Sequence, residues 1–345
     1  MSETVNGRQV AMVMDLNKCL GCQTCTVACK KLWNRDTGAD YVYWNSVETL
    51  PGQGYPRRWQ ETGGRDEAGG VKRGEIPSLE GEYGRAWNFN VKDVVNSNSK
   101  QGKTWLRPDG DPKWGPNWDE DRGAGSYPED NHYFYLPRIC NHCTHPACLD
   151  ACPRSAIDKR EEDGIVLVDQ DRCHGYRFCV EACPYKKVFF DTERQVANKC
   201  IFCMPRVEEG VAPACARQCP GRLRFVGYLD DEEGPIHKLV NVWKVALPLH
   251  PEYGLEPNVF YVPPMSPSAM DANGRPTGEP RIPYETLEGL FGPKVREALA
   301  TVEAERAKRK RGEASELMDL LIAYDWNESF QLGLGGAAGP NEERV

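Results

Sequence analysis

Cys19-Leu-Gly-Cys22-Gln-Thr-Cys25-Thr-Val-Ala-Cys29 has the C-x2-C-x2-C-x3-C spacing with which proteins hold cubane iron–sulfur clusters. Three thiolates at i, i+3 and i+6 wrap a turning backbone around one cluster, and the fourth, on the helix that follows, points away toward another. Gly21 inside the loop lets a backbone N–H approach a sulfide closely. All fifteen cysteines of the chain fall into four such groups. The second is Cys140, Cys143, Cys148 and Cys152, the third Cys173, Cys179 and Cys183, and the fourth Cys200, Cys203, Cys215 and Cys219. The third repeats the spacing of the first, with Tyr176 where its second cysteine belongs. Pro153, Pro184 and Pro220 follow the last cysteines of groups two to four, the C-P ending of that run, whereas group one ends Cys29-Lys30.

Other uses of cysteine fit less well. A disulfide scaffold is disfavoured by the odd count, by a chain long enough to bury its own core and by the lack of a secretory signal. A structural zinc protein is the stronger rival, since Cys200-x2-Cys203-x11-Cys215-x3-Cys219 alone would pass for a four-thiolate site. Zinc sites, however, draw ligands in separated pairs, and groups one and two put three or four thiolates into one short loop. His142, His145 and His174 then read as residues around the clusters, able to donate hydrogen bonds to sulfides, and not as ligands.

The 345 residues carry a net charge of −8, which argues against nucleic acid as a partner. The longest apolar stretches, such as Leu239 to Leu249, contain lysine and are too short to span a bilayer. Met1 to Asp15 has neither a basic n-region nor an apolar h-region. The expectation is a cytoplasmic protein, or one exported folded with a partner that carries the signal.

Residues 9 to 15 read as a strand and residues 23 to 33 as a short helix. From about 50 to 130 Gly, Pro, Asn, Asp and Trp dominate and no periodicity survives. Trp59, Trp87, Trp105, Trp114 and Trp118 are too many aromatics for a solvated linker, so an ordered, irregular insertion packed over a cluster or another subunit is expected. Strands are expected at 164–169 and 224–229, a helix from 235 to about 247, a Pro-rich stretch at 248–283 and helices over 284–325, where the run Arg306 to Arg311 reads as a solvated face. Loop, short helix and short strand repeat in each cysteine unit, which makes the fold class α+β.

Cys173-His-Gly-Tyr-Arg-Phe-Cys-Val-Glu-Ala-Cys-Pro-Tyr-Lys-Lys187 resembles the corresponding segment of respiratory nitrate reductase beta subunits, where the aromatic is tryptophan. Asp15 to Cys29, Tyr135 to Cys143, Pro51-Gly-Gln-Gly-Tyr-Pro56 and Val245-Ala-Leu-Pro-Leu-His-Pro251 are also similar to that family. The chain as a whole resembles the four-cluster electron-transfer (beta) subunit of molybdenum oxidoreductases related to dimethyl sulfoxide reductase. Its length is similar to the beta subunits of ethylbenzene dehydrogenase, of perchlorate, chlorate and selenate reductases and of dimethyl sulfide dehydrogenase. The Gly-Tyr-Arg run leans the reading to ethylbenzene dehydrogenase or a relative that hydroxylates a hydrocarbon anaerobically, with the reductases and dimethyl sulfide dehydrogenase as the alternative.

The resemblance implies two nested bacterial-type two-cluster ferredoxin modules: residues 1–35 with 195–230, and residues 131–194. The insertion at 36–130 and a C-terminal extension at 231–345 for subunit contacts lie outside them. It implies one 4Fe-4S cluster on Cys19, Cys22, Cys25 and Cys219, and a second on Cys29, Cys200, Cys203 and Cys215. A third 4Fe-4S cluster falls to Cys140, Cys143, Cys148 and Cys183. Cys152, Cys173 and Cys179 are left for a 3Fe-4S cluster, with Tyr176 a non-ligand, so all fifteen cysteines are used. It further implies a molybdenum (bis-pterin) alpha subunit beside the Cys19 cluster, a haem b gamma subunit beside the three-iron cluster, and a periplasmic complex exported with its signal-bearing partner. No G-x-S-x-G, H-E-x-x-H or P-loop is found, so the chain is expected to have no catalytic site of its own. Iron–sulfur subunits of hydrogenases and formate dehydrogenases usually keep the third motif's second cysteine and often add a membrane helix. Neither feature is found here.

Overall fold

The computed structural model describes residues 8–35, 38–63, 72–84, 90–96, 105–107, 123–325 and 329–332. Its strands include β1 (Val10–Asp15), β2 (Ser46–Leu50), β3 (Phe134–Arg138), β4 (Ile157–Lys159) and β5 (Val166–Val168). They continue with β6 (Val188–Asp191), β7 (Val196–Lys199), β8 (Arg224–Tyr228), β9 (Leu247–Pro248) and β10 (Val259–Val262).

β1 is buried along its whole length. It runs antiparallel to β8 and parallel to β10, which pairs with β9, giving the order β8-β1-β10-β9. The continuous run Val-Ala-Met-Val-Met suits a strand covered on both faces. Val10, Met12 and Met14 face the core that holds most of the cysteines. Ala11 and Val13 face Ile236, Leu239, Val302, Leu317 and Leu321, so the C-terminal extension packs on the sheet's other side. Its helices are Tyr284–Phe291, Val295–Lys310 and Glu316–Ile322.

The expected helix at 235–247 is corrected. Pro235–His237 makes one helical turn, Lys238–Val242 a wide π-type turn, and Leu247 is already in β9. The β-branched and aromatic residues of Val240-Asn-Val-Trp243 are poor helix formers, and Lys244 takes a left-handed backbone conformation that ends the element. The 164–169 strand is shorter than expected and forms a hairpin, β4–β5.

The insertion is more regular where it is described. β2 pairs with β3 from Ser46–Arg138 to Leu50–Phe134, and Tyr55, Trp59 and Tyr83 are buried. Trp105 is exposed; Trp87, Trp114 and Trp118 lie outside the described residues. Among the described residues no helix is long and apolar enough to cross a membrane.

Candidate functional site

The four cysteine loops share one backbone device. The residue two after the first cysteine is left-handed in each: Gly21, His142, Gly175 and Phe202. Such a residue reverses the chain tightly, so that consecutive amides and thiols face one concave side. For His142 and Phe202 that conformation costs about 1–3 kcal/mol each, a strain typical of functional sites. At Gly21 a Cβ would meet the Tyr135 ring at 2.5 Å, and at Gly175 the Gln195 carbonyl at 2.5 Å. Left-handed Gln23 and Arg177 then lead into the helices Thr24–Trp33 and Phe178–Ala182, which carry Cys25, Cys29 and Cys179.

Two cavities are lined by four cysteines each. One is bounded by Cys140, Cys143, Cys148 and Cys183. The other is bounded by Cys29, Cys200, Cys203 and Cys215 and walled by Met12, Trp33, Trp44, Ile139 and Phe202. Each draws a thiol from a loop remote in sequence. Cys19 faces Cys25 and Cys219, and Cys179 faces Cys173 and Cys152. Cys22 lies exposed on an open groove beside Thr24, Val27 and Ala214. Tyr176 is 54% exposed and stacks on Phe178, with ring centroids 6.2 Å apart.

The donor set fits iron–sulfur clusters. Among the described residues, which include every cysteine, no three His, Cys, Asp or Glu side chains are placed to hold a single metal ion. The thiols of the two cavities stand around a space instead. Burial pushes the thiols of Cys179 and Cys215 up to about 12 and that of Cys19 to about 11, with neighbouring thiols adding to the rise at Cys179. Ligation must therefore displace protons from groups that burial keeps neutral.

The first cavity also holds buried polar atoms that the protein leaves without a partner. Asn141 has no partner for either side-chain polar atom, and His142 none for Nε2. Val166 N–H donates to His142 Nδ1 at 3.1 Å, so the ring proton sits on Nε2 and is available to a sulfide. Burial, with Lys199 and Lys159 nearby, holds this imidazole far below its ordinary range and so neutral. Of the three histidines only His142 lines either of the two four-thiol cavities. His145 pairs with Glu256 at the surface, 3.5 Å away, and His174 is exposed.

Residues that sequence reasoning passed over complete the surroundings. Trp33 Nε1 donates to Cys203 Sγ at 3.1 Å and Asn45 Nδ2 to Cys25 Sγ at 3.2 Å. Main-chain N–H groups of Ala156, Ala197 and Phe202 donate to Cys152, Cys173 and Cys200 at 3.2–3.3 Å. Lys187 lines the first cavity fully buried, its Nζ donating to Ser46 Oγ at 2.7 Å; burial lowers its ammonium to about 7. Lys199 Nζ is held by the carbonyls of Cys200 and Val166, and Lys159 Nζ by Gln9, Cys143 and Gly164. Buried amines of this kind fit a space that would carry negative charge with a cluster bound, which would favour their charged form. The signal available was a Lys-Lys pair set directly before the apolar run Val188-Phe-Phe, where uncompensated charge would be costly. A buried ion pair, Arg138–Glu48 at 2.6 Å, joins the insertion to β3. The same guanidinium donates to the Tyr185 and Tyr55 carbonyls and so fixes the loop after Cys183.

Comparison with known proteins bears on the same residues. Residues 131–229 match the family model described as a 4Fe-4S dicluster domain. The chain is 58% identical over 321 residues to the beta subunit of selenate reductase from Thauera selenatis, covering 92% of this chain and 97% of the relative. It is 56% identical over 326 residues to the beta subunit of dimethylsulfide dehydrogenase from Rhodovulum sulfidophilum, covering 94% and 99%. To the beta subunit of chlorate reductase from Ideonella dechloratans it is 58% identical over 322 residues, covering 92% and 97%. These relatives favour the reductase and dimethyl sulfide dehydrogenase alternative over the lean toward ethylbenzene dehydrogenase.

Proposed function

The chain belongs to the iron–sulfur beta subunits of the selenate and chlorate reductases and dimethylsulfide dehydrogenase, and on that premise we propose its cluster set, partners and place of work. It is an electron-transfer subunit holding three 4Fe-4S clusters and one 3Fe-4S cluster. Cys19, Cys22, Cys25 and Cys219 hold the first; Cys29, Cys200, Cys203 and Cys215 the second; Cys140, Cys143, Cys148 and Cys183 the third. Cys152, Cys173 and Cys179 hold the three-iron centre beside Tyr176. The observation that carries this reading is the pair of cavities lined by four thiols each, one set from Cys140 to Cys148 with Cys183, the other from Cys200 to Cys215 with Cys29.

When bound, the clusters supply one-electron redox chemistry over a wide range of potential. The protein's part is to hold and tune them. Thiols fix their positions, Trp33, Trp44, Ile139 and Phe202 exclude water from the second, and N–H donors and buried cations act on their charge. A molybdenum alpha subunit docks where Cys22 is exposed. Leu20, Val27 and Leu32 supply an exposed apolar rim there, which supports this choice. A haem b subunit approaches the exposed Tyr176–Phe178 face. The complex works in the periplasm, exported folded with its signal-bearing partner. Its substrate belongs with the oxyanions and dimethyl sulfide of the relatives.

EPR of the air-oxidised protein, with iron counted on the same sample, tests the assignment. A three-iron signal and about 15 irons, from three four-iron centres and one of three, is the expected result. A colourless protein with about four zinc ions overturns it.

A further inference from the structure

Asn45 and Arg224 are 179 residues apart in sequence but meet each other and two cysteine groups in space. Both are 1% exposed. Arg224 Nη2 donates to Asn45 Oδ1 at 2.7 Å. That bond settles which way the carboxamide points, because the oxygen is taken and Nδ2 must face the other side. Nδ2 there donates to Cys25 Sγ at 3.2 Å and to Thr26 Oγ1 at 3.1 Å. The main-chain N–H of Asn45 faces the Cys29 thiol. Asn45 therefore spans Cys25, assigned above to the first cluster, and Cys29, assigned to the second.

Among the described residues no carboxylate forms an ion pair with Arg224, and its Nε is buried without a partner. Nη1 reaches only Met12 Sδ, at 3.7 Å. What faces it are the thiols of Cys215, Cys25, Cys219 and Cys19, three of them in the first set. A buried charge left in this way is costly unless an opposite charge meets it. The ligand set of the first cluster is where that charge would be.

We propose that Arg224 and Asn45 act as one unit that raises the reduction potential of the cluster on Cys19, Cys22, Cys25 and Cys219. Reduction adds negative charge, which a fixed cation and an N–H···S bond to a ligand sulfur stabilise more than the oxidised form. Arg224 acts both by its own charge and as a positioning residue for Asn45. The inference rests on the ligand assignment under Proposed function.

The test is an EPR-monitored redox titration of the cluster-loaded protein in its complex, with iron counted, for wild type and the variants Asn45→Ala, Arg224→Gln and Arg224→Lys. Asn45→Ala and Arg224→Gln should move one and the same four-iron centre toward the oxidised form. The expected change is about tenfold in the oxidised-to-reduced ratio, 59 mV for one electron. Arg224→Lys keeps the charge and should recover part of the shift, and the three-iron centre should not move. An Asn45→Ala protein with full iron and an unmoved four-iron potential overturns the proposal, whether or not the Arg224 variants load. A wild type without four-iron centres would instead overturn the ligand assignment.

Discussion

On the proposed cluster set, Tyr176 is the residue on which the character of the three-iron centre turns. Its phenol stands where the spacing of the first loop has a thiol, and its ring lies at the surface against Phe178. A corner iron without a thiolate is readily lost, so Tyr176→Cys is expected to bind a fourth iron and lower that centre's potential. EPR checks this, and an unchanged three-iron signal would show that Tyr176 does not decide the cluster type. His250 is a second informative residue, away from the cysteines. It is buried, stacks on Tyr253 at 4.8 Å and contacts Glu252 through Nδ1 at 2.7 Å. Burial holds its imidazole below the ordinary 6.5, against the opposing pull of Glu252. An unfolded chain then binds the proton more readily than the folded one. The stability His250 carries is thus present above pH 6.5 and is lost as the pH falls toward its lowered folded value. His250→Gln should flatten the fall in thermal stability between about pH 7 and 5. A variant with the same pH slope as wild type would remove His250 from the account.

At the scale of elements, the helix Thr24–Trp33 has two tasks. Its inner side carries Cys25 and Cys29 into the core, and Val27 and Leu32 stay exposed beside Cys22. The helix needs nothing from Val27 to hold iron, so Val27→Glu should leave iron content intact. It should weaken co-purification with the catalytic partner, because a charge is then desolvated in the contact. Full retention of the partner would move the docking face elsewhere. The segment after residue 235 behaves differently. Its apolar residues read as a helix, yet they serve the far face of β1 through two turns and a strand. Tertiary packing overrode a weak local preference there.

For the whole molecule the proposed ligand sets draw on segments remote in the chain, so losing one ligand would be felt in two loops. Cys183→Ser should lower the iron count by about four, or by about one if the centre survives with three irons. It should also loosen the 140–148 loop, read as faster proteolysis there; full iron content would place Cys183 outside that ligand set. The sequence by itself determined the four cysteine groups, the missing thiol at Tyr176, the cofactor class and the strands at 10–15 and 224–228. Ligand spacing within a loop and strand character are local properties, set by a few consecutive residues. The family resemblance implied that Cys29 goes with Cys200, Cys203 and Cys215 and Cys183 with Cys140, Cys143 and Cys148; the tertiary structure sets each group around one cavity, and of His142, His145 and His174 only His142 lines either of the two. The tertiary structure alone brought Trp33 to Cys203, Asn45 to Cys25 and Arg224 to Asn45. Those meetings depend on contacts between residues as much as 179 apart, Asn45 and Arg224 among them, which no local spacing encodes.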